Sequence, residues 1–108
     1  MINKIETGIL FGYYGNILND HQKDVLHLYF DMDMSLSEIA DEMKISRQGV
    51  REIIVRSVDK LKDMEDRLGL VDKIHQISNR LDKIVEKNSL ENNVKEELLS
   101  IINEIEEI

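Results

Sequence analysis

Between residues 35 and 61 the sequence leaves few folds open. Ser35 and Glu38 stand in the S-x-x-E spacing of a capping box. In that device the serine side chain satisfies an orphan N–H of the first helical turn, and the glutamate returns the favour to the serine N–H. The helix so begun is short and carries Leu36, Ile39, Ala40 and Met43 on one face. Ile45 follows in a turn, and Ser46 caps a second helix whose apolar face is Val50, Ile53, Ile54, Val58 and Leu61. Two helices that cross steeply over a short turn need a small side chain at their closest approach, which Ala40 supplies. They also need apolar plugs at set distances from it, the places of Ile39, Ile45, Val50 and Ile53. This is the layout of a helix-turn-helix. Periodicity alone would fit any amphipathic hairpin. The alanine, the turn isoleucine, the serine cap and the polar start of the second helix narrow it.

That polar start also carries chemistry. A helix of this kind meets base edges and phosphates with its N-terminal turns. Here those turns hold Ser46, Arg47, Gln48, Gly49 and Arg51, with Arg56 further along. Ser46, Arg47, Gln48, Arg51 and Arg56 are the candidate nucleic-acid contacts. Lys44 departs from the usual pattern, because a glycine at the start of the turn would make positive φ cheap.

Charge argues the other way. The chain has 14 basic and 22 acidic side chains, a net charge of −8, whereas a nucleic-acid-binding domain usually shows a basic face. The imbalance is not uniform. Residues 35–63 hold six basic and six acidic side chains, and residues 67–108 hold six and nine. The excess therefore lies outside the motif, at Asp20, Asp24, Asp31, Asp33 and the C-terminal Glu104, Glu106 and Glu107. Three arginines on phosphate would give a salt slope of roughly −3, modest unless dimerisation doubles the contacts.

At 108 residues the chain accommodates one domain, or one domain with an extension. The absence of proline, with much Leu, Ile, Lys and Glu, points to an all-α protein. The absence of cysteine excludes disulfides, thiolate zinc sites and cysteine catalysis. The N-terminal apolar run lacks a basic leader and is broken by Gly8, Gly12 and Gly15, so neither a signal peptide nor a membrane span is expected. A soluble cytoplasmic protein is the expectation.

Along the chain, a first helix is expected over residues 2–14, with Ile5, Ile9, Leu10 and Tyr13 inward, Tyr14 wet, and Gly15 as its stop. Gly8 and Gly12 have the G-x-x-x-G spacing, for which local packing is the better explanation outside a membrane. Asn19 and Gln22 make a second capping box, opening a helix through Val25, Leu26, Leu28, Tyr29 and Phe30. Asp31 and Asp33 in the connector lack the glycine and the terminal glutamate of a calcium loop. The second motif helix meets no breaker before Gly69 and should run about twenty residues, its later part (Val58, Leu61, Met64, Leu68) packing onto something else. From Leu70 a heptad-like pattern takes over, with Ile74, Ile77, Leu81 and Ile84 on one helix. Asn88 and Glu91 suggest a third capping box before a last helix carrying Val94, Leu98, Ile101, Ile105 and Ile108. The expected organisation is a helix-turn-helix domain over 1–69 and a helical hairpin over 70–108. The apolar edge of that hairpin would need a partner, the N-terminal domain or, preferably, a second copy in a homodimer.

Enzyme chemistry finds no foothold. His21, His27 and His75 share no metal-ligand spacing, and no phosphate loop, nucleophile elbow, HExxH or catalytic carboxylate pair is present. No catalytic residue, metal or cofactor is expected.

The stretch around residues 19–70, with LNDHQKDVLHLYF, SLSEIADEMKISRQGVREII and DRLGL, is similar in its motif to the promoter-reading region 4 of bacterial sigma factors. The wider pattern, with Tyr13-Tyr14-Gly15, the SRQ-x-V start of the second motif helix and LGL after it, closely resembles the YlxM family. The resemblance is tight to Leu70 and loose beyond. It implies a small, winged-helix-like regulatory protein, typically encoded beside the GTPase of the signal recognition particle and acting in that pathway. The partners implied are nucleic acid, either DNA or the particle's RNA, and the particle's proteins. Two alternatives remain open: a protein-interaction module whose motif binds no nucleic acid, and a plain DNA-binding transcriptional regulator. The protein-interaction module is separated from nucleic-acid binding by whether the arginines form one continuous basic patch or are neutralised in place by Glu52, Asp59 and Asp63.

Overall fold

The structure, a computed structural model, describes residues 3–88 and 90–107. Six α-helices run in the order α1 (Lys4–Tyr14), α2 (Asp20–Leu26), α3 (Leu36–Met43), α4 (Arg47–Leu68), α5 (Leu70–Lys87) and α6 (Asn92–Glu106). The described residues contain no β-strand, so the wing of a winged helix is absent from them. None of these helices is long and apolar enough to cross a membrane. The chain divides into two compact units, Met1–Leu68 and Gly69–Ile108.

In the first unit α1, α2 and α3 all pack on α4. The long motif helix is thus also the centre of the core. Val50, Ile54, Ser57, Val58 and Leu61 line its buried side. The distal part fits the expectation only in part, because Met64 is half-buried and Leu68 is exposed. The hydroxyl of Ser57 is buried with no hydrogen-bond partner among the described residues. Such an orphan costs on the order of 1–3 kcal/mol, and the position keeps a small side chain on the central helix.

Helix α1 reverses part of the sequence expectation. Asn3 caps it, Oδ1 accepting from the Glu6 N–H at 3.1 Å. Its buried residues are Thr7, Leu10 and Tyr14, while Ile5 and Ile9 are exposed and Tyr13 is half-buried. Tyr14, not Tyr13, is therefore the core tyrosine. The apolar tally of α1 favoured the wrong stripe because both polar members of the buried one are satisfied. The Thr7 hydroxyl donates to the Asn3 carbonyl at 2.7 Å, and the Tyr14 hydroxyl donates to the Glu65 carboxylate. A buried polar group with a partner loses its penalty. Ile2, placed at the start of this helix by the sequence, lies outside the described residues.

Gly15 does not stop the helix by a left-handed turn. Its φ is −54°, and the chain continues through a 3₁₀ turn over Gly15–Ile17 before Leu18 turns extended. A Cβ at that position would stand 3.1 Å from the Phe11 ring, a tight contact that glycine avoids. The Asn19–Gln22 capping box forms as expected. The helix it opens does not run uniformly to Phe30: after Leu26 it widens into a π-turn over His27–Asp31, closed by the Met32 N–H on the His27 carbonyl. Asp33 then adopts φ 52° and pairs with Lys4 of α1.

In the second unit α5 and α6 pack together as a helical hairpin. Gly69, at φ 62°, separates α4 from α5, as the sequence required of a breaker. Of the expected α5 row Ile74 is buried and Leu81 half-buried, whereas Ile77 and Ile84 are exposed; Val71 and Ser78 are buried and Val85 half-buried beside them. On α6 Ile102 is buried and Leu98 and Ile105 are half-buried. Ile108 lies outside the described residues. The third capping box does not form. The cap of α6 is Glu91, without a side-chain bond, and the Asn88 side chain instead donates to the Ile84 carbonyl at 2.9 Å, finishing α5.

Candidate nucleic-acid interface

The site is built from the turn outward. Ser35 and Glu38 form the full capping box. The Ser35 backbone N–H, with its hydroxyl second, holds the Glu38 carboxyl below its ordinary pKa. Ile39 and Ala40 are buried against the rest of the motif. Lys44 takes the left-handed position, φ 58° and ψ 44°, and its N–H and that of Ile45 both return to the Ala40 carbonyl. The turn thus has the geometry that glycine usually provides, with lysine in place. The strain leaves an exposed cation beside the start of α4.

Ser46 caps α4: its Oγ accepts from the Gly49 N–H at 2.9 Å, and its carbonyl accepts from the Val50 N–H at 3.0 Å. The hydroxyl proton remains available to an acceptor outside the protein. Gly49 keeps this cap uncrowded, since a Cβ there would lie 3.1 Å from Ser46 Oγ. The open end of α4 adds free backbone N–H groups and a partial positive charge, both suited to phosphate.

Ser46, Arg47, Gln48, Arg51 and Arg56 are all exposed. Helical geometry groups the first four and separates the fifth. At about 100° per residue, Arg47 and Arg51 are about 40° apart around α4 and one turn apart along it, with Gln48 about 60° from Arg51. Arg56 is about 140° round from Arg51, so it faces elsewhere. Among the described residues none of the three arginines makes an ion pair. Asp63, a suspected neutraliser, is taken by Arg67 at 2.9 Å, and among the described residues Glu52 and Asp59 make no ion pair.

Two features escaped the sequence reading. Arg51 lines a cleft of about 60 Å³ together with Tyr29, Leu36, Ile54 and Val55, so the edge of the site includes an aromatic ring from the π-turn. Periodicity assigned Tyr29 to a regular helix, and nothing local signalled the wider turn. Lys44 was visible only as a missing glycine. No cluster of three metal-ligating side chains occurs among the described residues.

The match to a family covers almost all of the chain. Residues 1–101 fit the model of UPF0122, described as "Putative helix-turn-helix protein, YlxM / p13 like". The chain belongs to the UPF0122 family. The resemblance to YlxM proteins read from the motifs is thereby shown, and so is the all-α helix-turn-helix class. A UPF0122 protein of Clostridium perfringens (strain 13 / Type A) is 39% identical over 111 residues, covering 95% of this chain and 99% of the relative. One of Thermoanaerobacter sp. (strain X514) is 38% identical over 99 residues, 90% of this chain and 85% of its own. A third, of Acetivibrio thermocellus, reaches 45% over 75 residues, 69% of this chain and 64% of its own. The UPF0122 match extends beyond Leu70 into α5 and α6, where motif resemblance alone is loose.

Proposed function

We propose that this UPF0122 protein is a cytoplasmic regulatory helix-turn-helix protein that binds nucleic acid as a homodimer and serves the signal recognition particle pathway. Residues 1–69 act as the binding domain and 70–108 as the dimerisation element. Ser46, Arg47, Gln48 and Arg51 form the central contact, and Arg56 reaches a flanking phosphate from its separate face. The observation that carries the reading is that Arg47 and Arg51 share one exposed edge of α4 with no acid among the described residues paired to either. The likeness to YlxM proteins supports the pathway. A helix suited to the DNA major groove does not enter the narrow groove of A-form RNA, so an RNA target would be held through shape and phosphates.

The test is fluorescence anisotropy of wild type and the Arg47→Ala/Arg51→Ala pair against random duplex DNA and signal recognition particle RNA at low salt. Binding should weaken and the salt slope flatten by roughly two units, with melting nearly unchanged because exposed substitutions cost within about 0.5 kcal/mol. Equal affinities, or no binding by either protein, would give the case to the protein-interaction module. Preference for duplex DNA alone would give it to a plain transcriptional regulator.

A further inference from the structure

The α5–α6 hairpin leaves one side uncovered, and its pattern is regular. Leu70, Ile77 and Ile84 recur every seven residues on α5, and Val94 and Ile101 do so on α6. All five are 40–44% exposed. On each helix this row lies roughly 80° round from the centre of its buried side, Val71, Ile74 and Ser78 with half-buried Leu81 and Val85 on α5 and Ile102 with half-buried Leu98 on α6. The offset has the same rotational sense on both helices. Because consecutive helices of a hairpin run in opposite directions, equal offsets bring both rows to the same side. The result is one continuous apolar face two helices wide.

The borders of that face differ in charge. The next row outward on α5, about 60° further round, is Lys73, Arg80 and Lys87, and the equivalent row on α6 is Glu97 and Glu104. All five are exposed, and among the described residues none makes an ion pair. The acids of α5, Asp72, Asp82 and Glu86, fall on its far side by the same geometry.

A face with one basic and one acidic border complements itself. A two-fold axis parallel to the helices lays α5 of one copy over α6 of the other and sets the basic border against the acidic one, twice. An axis across the helices would instead set basic against basic. Isologous contacts of this kind are the commonest way in which identical chains associate, and flanking charges choose partner and orientation in helical bundles. We infer that a second copy of this chain docks on the Leu70–Ile77–Ile84/Val94–Ile101 face, with α5 of each copy antiparallel along the partner's α6 in a four-helix bundle. The inference rests on the proposal that the chain is a homodimer and adds which face pairs and in which direction. Two helix-turn-helix units would then act together, which the modest charge of a single motif calls for.

Sedimentation of the full chain at micromolar concentration tests it, with two charge variants checked for unchanged helicity by circular dichroism. Wild type should show twice the 12.6 kDa chain mass. Lys73→Glu/Arg80→Glu/Lys87→Glu makes both borders acidic, and Glu97→Lys/Glu104→Lys makes both basic. Each alone should dissociate about tenfold more readily or worse, since several attractive pairs turn repulsive together. An equimolar mixture of the two variants should recover the dimer. Wild type that stays monomeric at tens of micromolar overturns both the homodimer and this face. A wild-type dimer that both variants keep at full strength, or a mixture that fails to pair, overturns the arrangement and leaves the homodimer standing. If either multiple variant loses helicity, the single changes Arg80→Glu and Glu97→Lys, alone and mixed, decide by the same outcomes.

Discussion

The two units of this protein use similar side chains to different ends. In Met1–Leu68 three helices close on a fourth, and Val25, Leu26, Ile39, Val50 and Leu61 are sealed from solvent. In Gly69–Ile108 the buried residues among those described are Val71, Ile74, Ser78 and Ile102, each still 4–8% exposed. The difference is geometric. A helix flanked by three others satisfies a wide apolar face, whereas a helix with one neighbour satisfies only the stripe turned towards it. A surplus of apolar surface in the second unit follows from its architecture: Leu70, Ile77, Ile84, Val94 and Ile101 carry most of it at 40–44% exposure, and Leu99 stands equally exposed on another side of α6.

The largest effect expected from this contrast is in the cores. Leu61→Ala removes a fully buried side chain from the central helix and should cost about 2–5 kcal/mol. Ile77→Ala, at a partly exposed site, should cost about 1 kcal/mol or less in dilute solution where the chain is monomeric. Urea unfolding of both variants measures it. Comparable losses at low concentration would mean that Ile77 is covered within the chain, and the contrast would fail.

Helix starts give the next effect. The capping box on α3 has no counterpart at α6, whose cap lacks a side-chain bond. Ser35→Ala should cost about 1 kcal/mol, while Glu91→Ala should barely register. The α3 cap also predicts a pH dependence. Glu38 ionises more readily in the folded chain because Ser35 donates to its carboxylate, and Asp33 does so because Lys4 hydrogen-bonds it and adds its positive charge. The unfolded state therefore binds more protons in the acid range. The contribution of both groups is complete above the ordinary carboxylate pKa of about 4 and disappears as pH falls through the lowered folded values. Melting temperatures at pH 6 and pH 3 should differ less in the Glu38→Gln variant than in wild type. An unchanged difference would remove the cap from the account.

The smallest effect compares two left-handed residues. Gly69 at φ 62° is free of steric cost, and Gly69→Ala should cost about 1 kcal/mol. Lys44 at φ 58° carries that strain already, so Lys44→Gly should stabilise the first unit by up to about 1 kcal/mol. If the lysine contacts phosphate, the same change should weaken nucleic-acid binding while raising the melting temperature.

Much of this protein was decided locally. The capping boxes at Ser35 and Asn19, the serine cap at Ser46, the break at Gly69 and the apolar spacing of α3 and α4 act over a turn or two of chain, so the sequence displays them directly. The helix-turn-helix and its polar leading edge were legible for the same reason. Partner choice was not. Tyr14 rather than Tyr13 is buried, with its hydroxyl on Glu65, fifty-one residues away in the sequence. The π-turn at His27–Asp31 carries no local signature. Arg56 parts from Arg47 and Arg51 because a helix rotates, so nearness in sequence does not give a shared face. In α5 the sequence supplied an apolar surface wider than one neighbour can cover. Only the tertiary structure decided that Val71, Ile74 and Ser78 are buried and Leu70, Ile77 and Ile84 stay exposed, because burial depends on which neighbour arrives and from which side.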